Sequence, residues 1–278
     1  MQQDWEKRRR FLLKLGERLG PFVHQAYDRN PGARGRDFGL KTKSSPSDLV
    51  TEWDIKTQAQ IVEWLQESFP GEPILGEESP SKADWSQSSG FWVVDPIDGT
   101  TNFSKSYPFF SISIAFAEVN AGKAISRAGL VYDVGRSEAY TAGHGFGAFI
   151  GRQKLRLSGQ PKPQESLLTT GFIRTRNGEI QNKAFRLFEE LTRETLGVRR
   201  DGSAALDLAC VASGRIEGYW EEGLSPWDTA AGALLVQEAG GLVTDFSGSS
   251  FNFFKGELIA AHPALHKWLM DRIKKGDS

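Results

Sequence analysis

The sequence predicts an α+β lobe followed by an α/β lobe, and three observations carry that prediction. Residues 4–27 and about 48–69 space their apolar side chains at helical intervals, short β-type runs replace them from Ile74 to about Leu157, and strands alternate with helices beyond residue 166. The turn-rich stretch SGQPKPQES at 158–166 is the boundary, which divides the chain into 1–157 and 158–278. A chain of 278 residues is long enough to bury a substantial core in one large unit or two packed lobes.

Composition narrows the function classes. Hydrophobic residues at 39% and charged residues at 25% are ordinary globular usage, which argues against a disordered or fibrous chain. Lys plus Arg number 34 against 35 Asp plus Glu, so the net charge of -1 supplies no general field toward nucleic acid or anionic membrane. Cys210 is the single cysteine; it excludes an internal disulfide and falls in a helical apolar pattern as a small buried residue. The early apolar cluster FLLKLG is interrupted by Lys14, lacks a small-residue cleavage site and is too short to span a bilayer, so the expectation is a cytoplasmic protein without a membrane partner.

In chain order, the first helix places Trp5, Leu12, Leu15, Leu19 and Phe22 on one face, and its polar face holds Arg8 to Arg10, expected in solvent. A Gly-, Pro- and charge-rich loop follows, with Ser47 or Asp48 as cap of a second helix through about Phe69. The runs FWVV, FFSISIAFAEV, AGLVYDV and GAFIG suit a largely antiparallel sheet. The second lobe then reads SLLTTG, a helix near 179–195, LGVRR, a helix near 203–213, IEGYW, a helix near 226–239, ELIAA and a final helix, with no internal repeat.

The stretch WVVDPIDGTTNF, residues 92–103, ends an apolar strand with two aspartates three positions apart. Pro96 holds Asp95 in extended conformation, and Gly99 allows the backbone turn that brings the amides of Gly99 and Thr100 toward an anion. Carboxylates beside an anion site repel it unless cations intervene, and hard oxygen donors suit Mg²⁺, which bridges carboxylates to phosphate oxygens. Taken alone, DPIDGT serves equally well as a plain turn. Glu77 in ILGEES also follows an apolar run, and by itself is an exposed turn residue. In SPWDTAAGALLVQEAGG, Ser225 is the N-cap, Pro226 the first helical residue and Asp228 the third, a position that completes a capping box and also aims a carboxylate into a neighbouring cleft.

Together these segments resemble the inositol monophosphatase family of magnesium-dependent, lithium-sensitive sugar-phosphate phosphatases. WVVDPIDGTTNF and WDTAAGALLVQEAGG match its two signature regions, supported by KSSPSDLVTEWD at 43–54, GEES at 76–79 and DGSAALDLACVASG at 201–214. The resemblance implies a layered αβαβα sandwich, a homodimer, and two or three Mg²⁺ ions between the lobes. It implies that Glu77, Asp95 and the Ile97 carbonyl hold one ion, and that Asp95, Asp98 and Asp228 hold a second. Thr100 is similar to the threonine that orients the attacking water, Asp54 to the carboxylate that holds that threonine, and Lys43 to a mobile-loop lysine near metal and phosphate. Gly202, Ser203 and Ala204 match the helix start that lines the substrate pocket together with Asp98, Gly99, Thr100 and Asp228, and Glu221 matches the acid that binds ring hydroxyls.

The implied reaction is hydrolysis of inositol 1-phosphate by metal-activated water. Related families hydrolyse fructose 1,6-bisphosphate, 3'-phosphoadenosine 5'-phosphate or histidinol phosphate. Glu221 favours a polyol, whereas Arg174, Arg176, Arg199 and Arg200 suit an additional phosphate. A scaffold that uses this fold to bind a nucleic-acid or protein partner is the reading from another class; Arg8 to Arg10 is the one dense basic run available to it.

Overall fold

The computed structural model describes residues 2–28, 41–42, 49–78, 85, 88–172 and 182–276. The chain runs α1 (Gln2–Asp28), β1 (Lys41–Thr42), β2 (Leu49–Val50), α2 (Glu52–Ser68), β3 (Ile74–Gly76), β4 (Gly90–Asp98), α3 (Thr100–Ser104), β5 (Ser111–Asn120), β6 (Lys123–Asp133), β7 (Glu138–Gly143), β8 (Gly147–Ile150) and β9 (Gln153–Lys154). It continues through β10 (Leu167–Thr170), α4 (Asn182–Glu194), β11 (Gly197–Arg199), α5 (Ala204–Ala212), β12 (Gly218–Glu222), α6 (Pro226–Glu238), β13 (Leu242–Thr244), β14 (Glu257–Ala261) and α7 (Pro263–Gly276).

Strands β3 to β9 lie side by side in sequence order in a 7-stranded sheet, antiparallel except for the β3–β4 pair. The second sheet is 5-stranded in the order β11-β10-β12-β14-β13, parallel from β11 to β12 and antiparallel beyond. The FWVV run is apolar throughout because both faces of β4 are covered. Trp92 and Val94 pack with Leu12, Leu15, Ile61 and Leu65 of α1 and α2, whereas Phe91 and Val93 pack with Leu208 and Leu235 of α5 and α6. The same middle cluster takes in Tyr219, Leu258 and Ala260 of the second sheet. Leu168, Trp220 and Ile259 on that sheet's other face meet Leu191 of α4 and Leu269 of α7. The layers are therefore α1/α2, first sheet, α5/α6, second sheet and α4/α7, the αβαβα order.

Small residues let the central layer close. A Cβ added at Gly232 of α6 would lie 2.5 Å from the Leu208 Cβ of α5, and one at Gly129 of β6 would lie 3.1 Å from the Ala231 Cα. Alanine and glycine at these points bring backbones near enough to hold helix to helix and helix to sheet.

Two expectations from the sequence are corrected. Arg8 and Arg9 are 6% and 8% exposed rather than solvated. Arg8 continues the 12, 15, 19 stripe that faces the sheet; its guanidinium lies 3.7 Å from the Phe116 ring centre and 4.4 Å from that of Phe69, and bonds both Glu72 oxygens at 2.6 and 2.8 Å. Arg9 bonds Glu6 and Thr141, so only Arg10 of the three projects into solvent. Ser47 and Asp48 lie outside the described residues, and the second helix begins later than expected, at Glu52, with Leu49–Val50 as a strand. Thr51 is its cap because Asp54, three residues on, accepts the Thr51 amide at 2.7 Å and closes a capping box.

Candidate active site

The carboxylates gather where β4 leaves the sheet. In a regular strand, residues three apart point to opposite faces. Here the β4–β5 register slips between Asp95, opposite Ser113, and Asp98, opposite Ser111, so one extra residue is accommodated on β4. That bulge turns Asp95 and Asp98 to the same inner face, while Ile97 between them enters the α1/α2 core. Asp228 of α6 joins them, and carboxylate oxygens of Asp95, Asp98 and Asp228 lie within 4.8 Å of one another.

Each member is held. The Ile97 amide donates to Asp95 Oδ1 at 3.0 Å, and the Ser225 amide donates to Asp228 Oδ2 at 2.7 Å. Asp98 Oδ2 accepts the Ser203 hydroxyl at 2.6 Å and the Ala205 amide at 2.7 Å, so a carboxylate at the end of β4 caps α5. Gly99 follows with φ 95; a Cβ there would lie 3.1 Å from the Phe110 Cβ and 3.2 Å from the Gly202 carbonyl oxygen. Only a glycine accepts both that conformation and that crowding.

Burial and crowding set the charge state of the site. Asp95, 2% exposed, is pushed well above the usual carboxylate range, first by burial and then by the charges of Glu77, Asp98 and Asp228, and it shares a hydrogen bond with Glu77. Burial also drives Asp98 up to about 6, against the hydrogen bonds from Ser203 and Ala205, and it raises Asp228, with Asp98 adding to the effect. Clustered carboxylates of this kind repel one another, and their all-oxygen donor set fits a hard divalent cation.

Beside the cluster, the Thr100 hydroxyl lies 3.0 Å from Asp54 Oδ1 and 3.1 Å from the Ile97 carbonyl oxygen. Asp54 is fully enclosed; burial raises its carboxyl, while Thr51 and Thr100 oppose that shift. A cleft of about 150 Å³ opens next to Asp98 and Asp228, lined by the predicted Gly202, Ser203, Ala204 and Glu221. Burial pushes Glu221 up to about 7, opposed by the Tyr219 hydroxyl, which donates to its Oε2 at 2.6 Å, and by the Arg200 charge. Two larger hollows of about 510 and 500 Å³ open beside Arg156 and Phe11, away from the carboxylate cluster.

The structure thus brings together Asp54, Glu77, Asp95, Ile97, Asp98, Gly99, Thr100, the 202–204 turn, Glu221 and Asp228. Lys43, Arg174 and Arg176 lie outside the described residues. Sequence reasoning missed Thr170, Gly171 and Leu224 on the cleft wall. Gly171 carries a readable signal only in hindsight: a Cβ there would fall 2.0 Å from the Glu221 carboxyl, so the acid lies directly over bare backbone.

Acids at a strand end, facing the starts of two helices across a small polar cleft between two sheets, define the phosphatase class that the motifs indicate. The sequence matches the inositol monophosphatase family over residues 4–277, and the chain belongs to that family. It is 38% identical over 262 residues to a Nus factor SuhB of Pasteurella multocida, covering 94% of each chain. It is 39% identical over 239 residues to an inositol-1-monophosphatase of Synechocystis, covering 86% of this chain and 81% of that one. A Thermotoga maritima IMPase structure is similar at a TM-score of 0.84 and 31% identity, with 98% of both chains covered.

Proposed function

We propose that the chain is a Mg²⁺-dependent, lithium-sensitive phosphomonoesterase that hydrolyses inositol 1-phosphate, working as a cytoplasmic homodimer in which 1–157 and 158–278 form one catalytic unit. The observation that carries this reading is the trio Asp95, Asp98 and Asp228, two buried carboxylates and one half-buried, with oxygens within 4.8 Å. Glu77 and the Ile97 carbonyl complete the set that would hold two or three Mg²⁺ ions. When bound, Mg²⁺ neutralises phosphoryl charge and makes water more acidic.

The chain's own residues position the reactants. The Thr100 hydroxyl donates to Asp54 and so turns lone pairs outward, where they accept a hydrogen bond from the attacking water, which keeps that proton. Glu77 accepts the other water proton, and the oxygen attacks phosphorus in line as the sugar oxygen leaves. A water beside Asp98 protonates the leaving oxygen. Lys43 adds positive charge near the phosphate, the 202–204 turn lines the ester, and Glu221 accepts hydrogen bonds from the ring hydroxyls. The Synechocystis relative, named inositol-1-monophosphatase, supports the choice of substrate.

The test is phosphate release from inositol 1-phosphate, fructose 1,6-bisphosphate and an adenosine bisphosphate, with Mg²⁺ and with EDTA. Turnover of the inositol ester is expected only with Mg²⁺, and Asp95→Asn is expected to reduce it by more than a hundredfold, on the order of the loss from removing a principal electrostatic group. Substantial turnover in EDTA or in Asp95→Asn rejects the metal reading.

The scaffold reading is supported by the relative named Nus factor SuhB. Against it, the Arg8–Arg10 run is no basic surface patch, because Arg8 and Arg9 are buried and paired.

A further inference from the structure

Asn102 lies on α3, two residues after Thr100, and faces the second lobe. Its side-chain amide has two N–H groups, and both are used on backbone carbonyls. Nδ2 donates to the Phe109 oxygen at 2.7 Å, just before β5, and to the Asp201 oxygen at 2.8 Å, just before the 202–204 turn. We propose that Asn102 is a positioning residue that fixes the spacing between the two halves of the active site; this rests on the phosphatase reading above.

The geometry makes the bracket specific. Gly202 turns the chain with φ 90, and a Cβ there would meet Asn102 Nδ2 at 3.3 Å, so the amide packs against bare backbone. That turn sends the Ser203 hydroxyl and the Ala205 amide to Asp98. On the other side, the Phe103 amide bonds the Gly99 oxygen at 3.0 Å, which fixes Asn102 and Thr100 in one short helical turn. Thr100, proposed to orient the attacking water, is thereby tied through a single side chain to the turn proposed to hold the ester. Ser113 provides a comparable link farther along, donating to the Trp227 oxygen at 2.9 Å beside Asp228. In-line attack depends on the distance between water and ester, and a displacement of about 1 Å costs on the order of a hundredfold in rate.

Asn102→Asp keeps the volume but replaces two donors with a carboxylate that faces two carbonyl oxygens. Asn102→Ser keeps one donor and is smaller, so it packs without strain. For Asn102→Asp, kcat/KM for inositol 1-phosphate is expected to fall at least tenfold with a raised KM, and Asn102→Ser should fall between it and the wild type. Independently of substrate, hydrogen exchange read by mass spectrometry should accelerate several-fold at residues 199–207 in Asn102→Asp and remain unchanged at 138–150. A residue serving stability alone would lower the active fraction, and so kcat, with KM unchanged. Wild-type exchange at 199–207, exchange raised equally in both segments, or a kcat loss with unaltered KM overturns the proposal. If the wild-type protein releases phosphate from none of the esters, the phosphatase reading fails, and the exchange at 199–207 still decides whether Asn102 holds the turn.

Discussion

Glu221 is the residue at which the proposed choice of substrate can be tested. Its carboxyl is fixed by the Tyr219 hydroxyl, lies over the bare backbone of Gly171 and shares its cleft with Arg200. At pH 8 it is largely ionised, since its pKa is about 7. Losing a hydrogen bond to a charged group costs about 1.5 to 3 kcal/mol, so Glu221→Gln should lower kcat/KM for inositol 1-phosphate roughly tenfold or more at that pH. For fructose 1,6-bisphosphate the same change should be neutral or favourable, because it removes a repulsion while Arg200 remains. Steady-state kinetics of both substrates on both proteins decide the matter, and equal losses on both substrates reject the polyol assignment. The place of Glu221 on the cleft wall was legible in the sequence through resemblance to a family motif. Its shifted pKa was not, because the Tyr219 contact, the charge of Asp98 and the depth of burial arise only when β12 is packed.

At the scale of elements, α1 shows how a charged residue becomes part of a core. Arg8 lies against three aromatic rings and pairs with Glu72, which also accepts the Trp92 indole N–H at 2.7 Å. Removing one member of a buried pair strands the other charge. Because the Glu72 side chain keeps 26% of its surface in solvent, Arg8→Ala should cost roughly 2 to 4 kcal/mol, toward the low side of the range for buried pairs. Urea unfolding reads this directly, and a cost within about 0.5 kcal/mol is what a solvated surface arginine would give. The stripe 8, 12, 15, 19 was visible in the sequence, but residue type outweighed spacing and sent Arg8 to the polar face. The start of α6 was legible because Ser225, Pro226 and Asp228 are local signals that need no partner. The convergence of Asp95 and Asp98 on one point was readable from Pro96 and Gly99, but the bulge that produces it was not, because it exists only in the pairing of β4 with β5.

The whole molecule concentrates acids between its two sheets, and this arrangement sets how its stability depends on pH and cations. The order of the two sheets follows from the change of period along the chain, and the family resemblance already placed Asp228 of α6 with Asp95 and Asp98, but the sequence does not reveal that α5 brings Asp207 to the same seam. Burial raises Asp98 from 3.8 to about 6 and Glu221 from 4.5 to about 7, and it shifts Asp95, Asp207 and Asp228 in the same direction. An acid whose folded pKa is raised binds its proton more tightly in the folded state. Its stabilising contribution is therefore full below the unfolded pKa and is lost as pH rises through the folded value. Glu6, lowered to about 2 mainly by the Arg9 hydrogen bond, and Asp245, lowered to about 2 by its bonds to Lys255, Ser247 and Ser249 against burial, act oppositely and lose their contribution in stronger acid. The metal-free protein should thus be most stable near pH 4 and lose stability steadily toward pH 8, with Glu221 alone accounting for roughly 3 kcal/mol over that span at 1.36 kcal/mol per pKa unit. Mg²⁺ requires the same carboxylates ionised, so its stabilisation, about 2.7 kcal/mol per ion at a hundredfold excess over its Kd, should be larger at pH 8 than at pH 5.5 for the same concentration. Thermal unfolding at both pH values, in EDTA and in Mg²⁺, measures both effects. A metal-free protein that is more stable at pH 8 than at pH 5.5, or an equal Mg²⁺ increment at the two, means that the charge between the sheets is already balanced by groups of the chain itself.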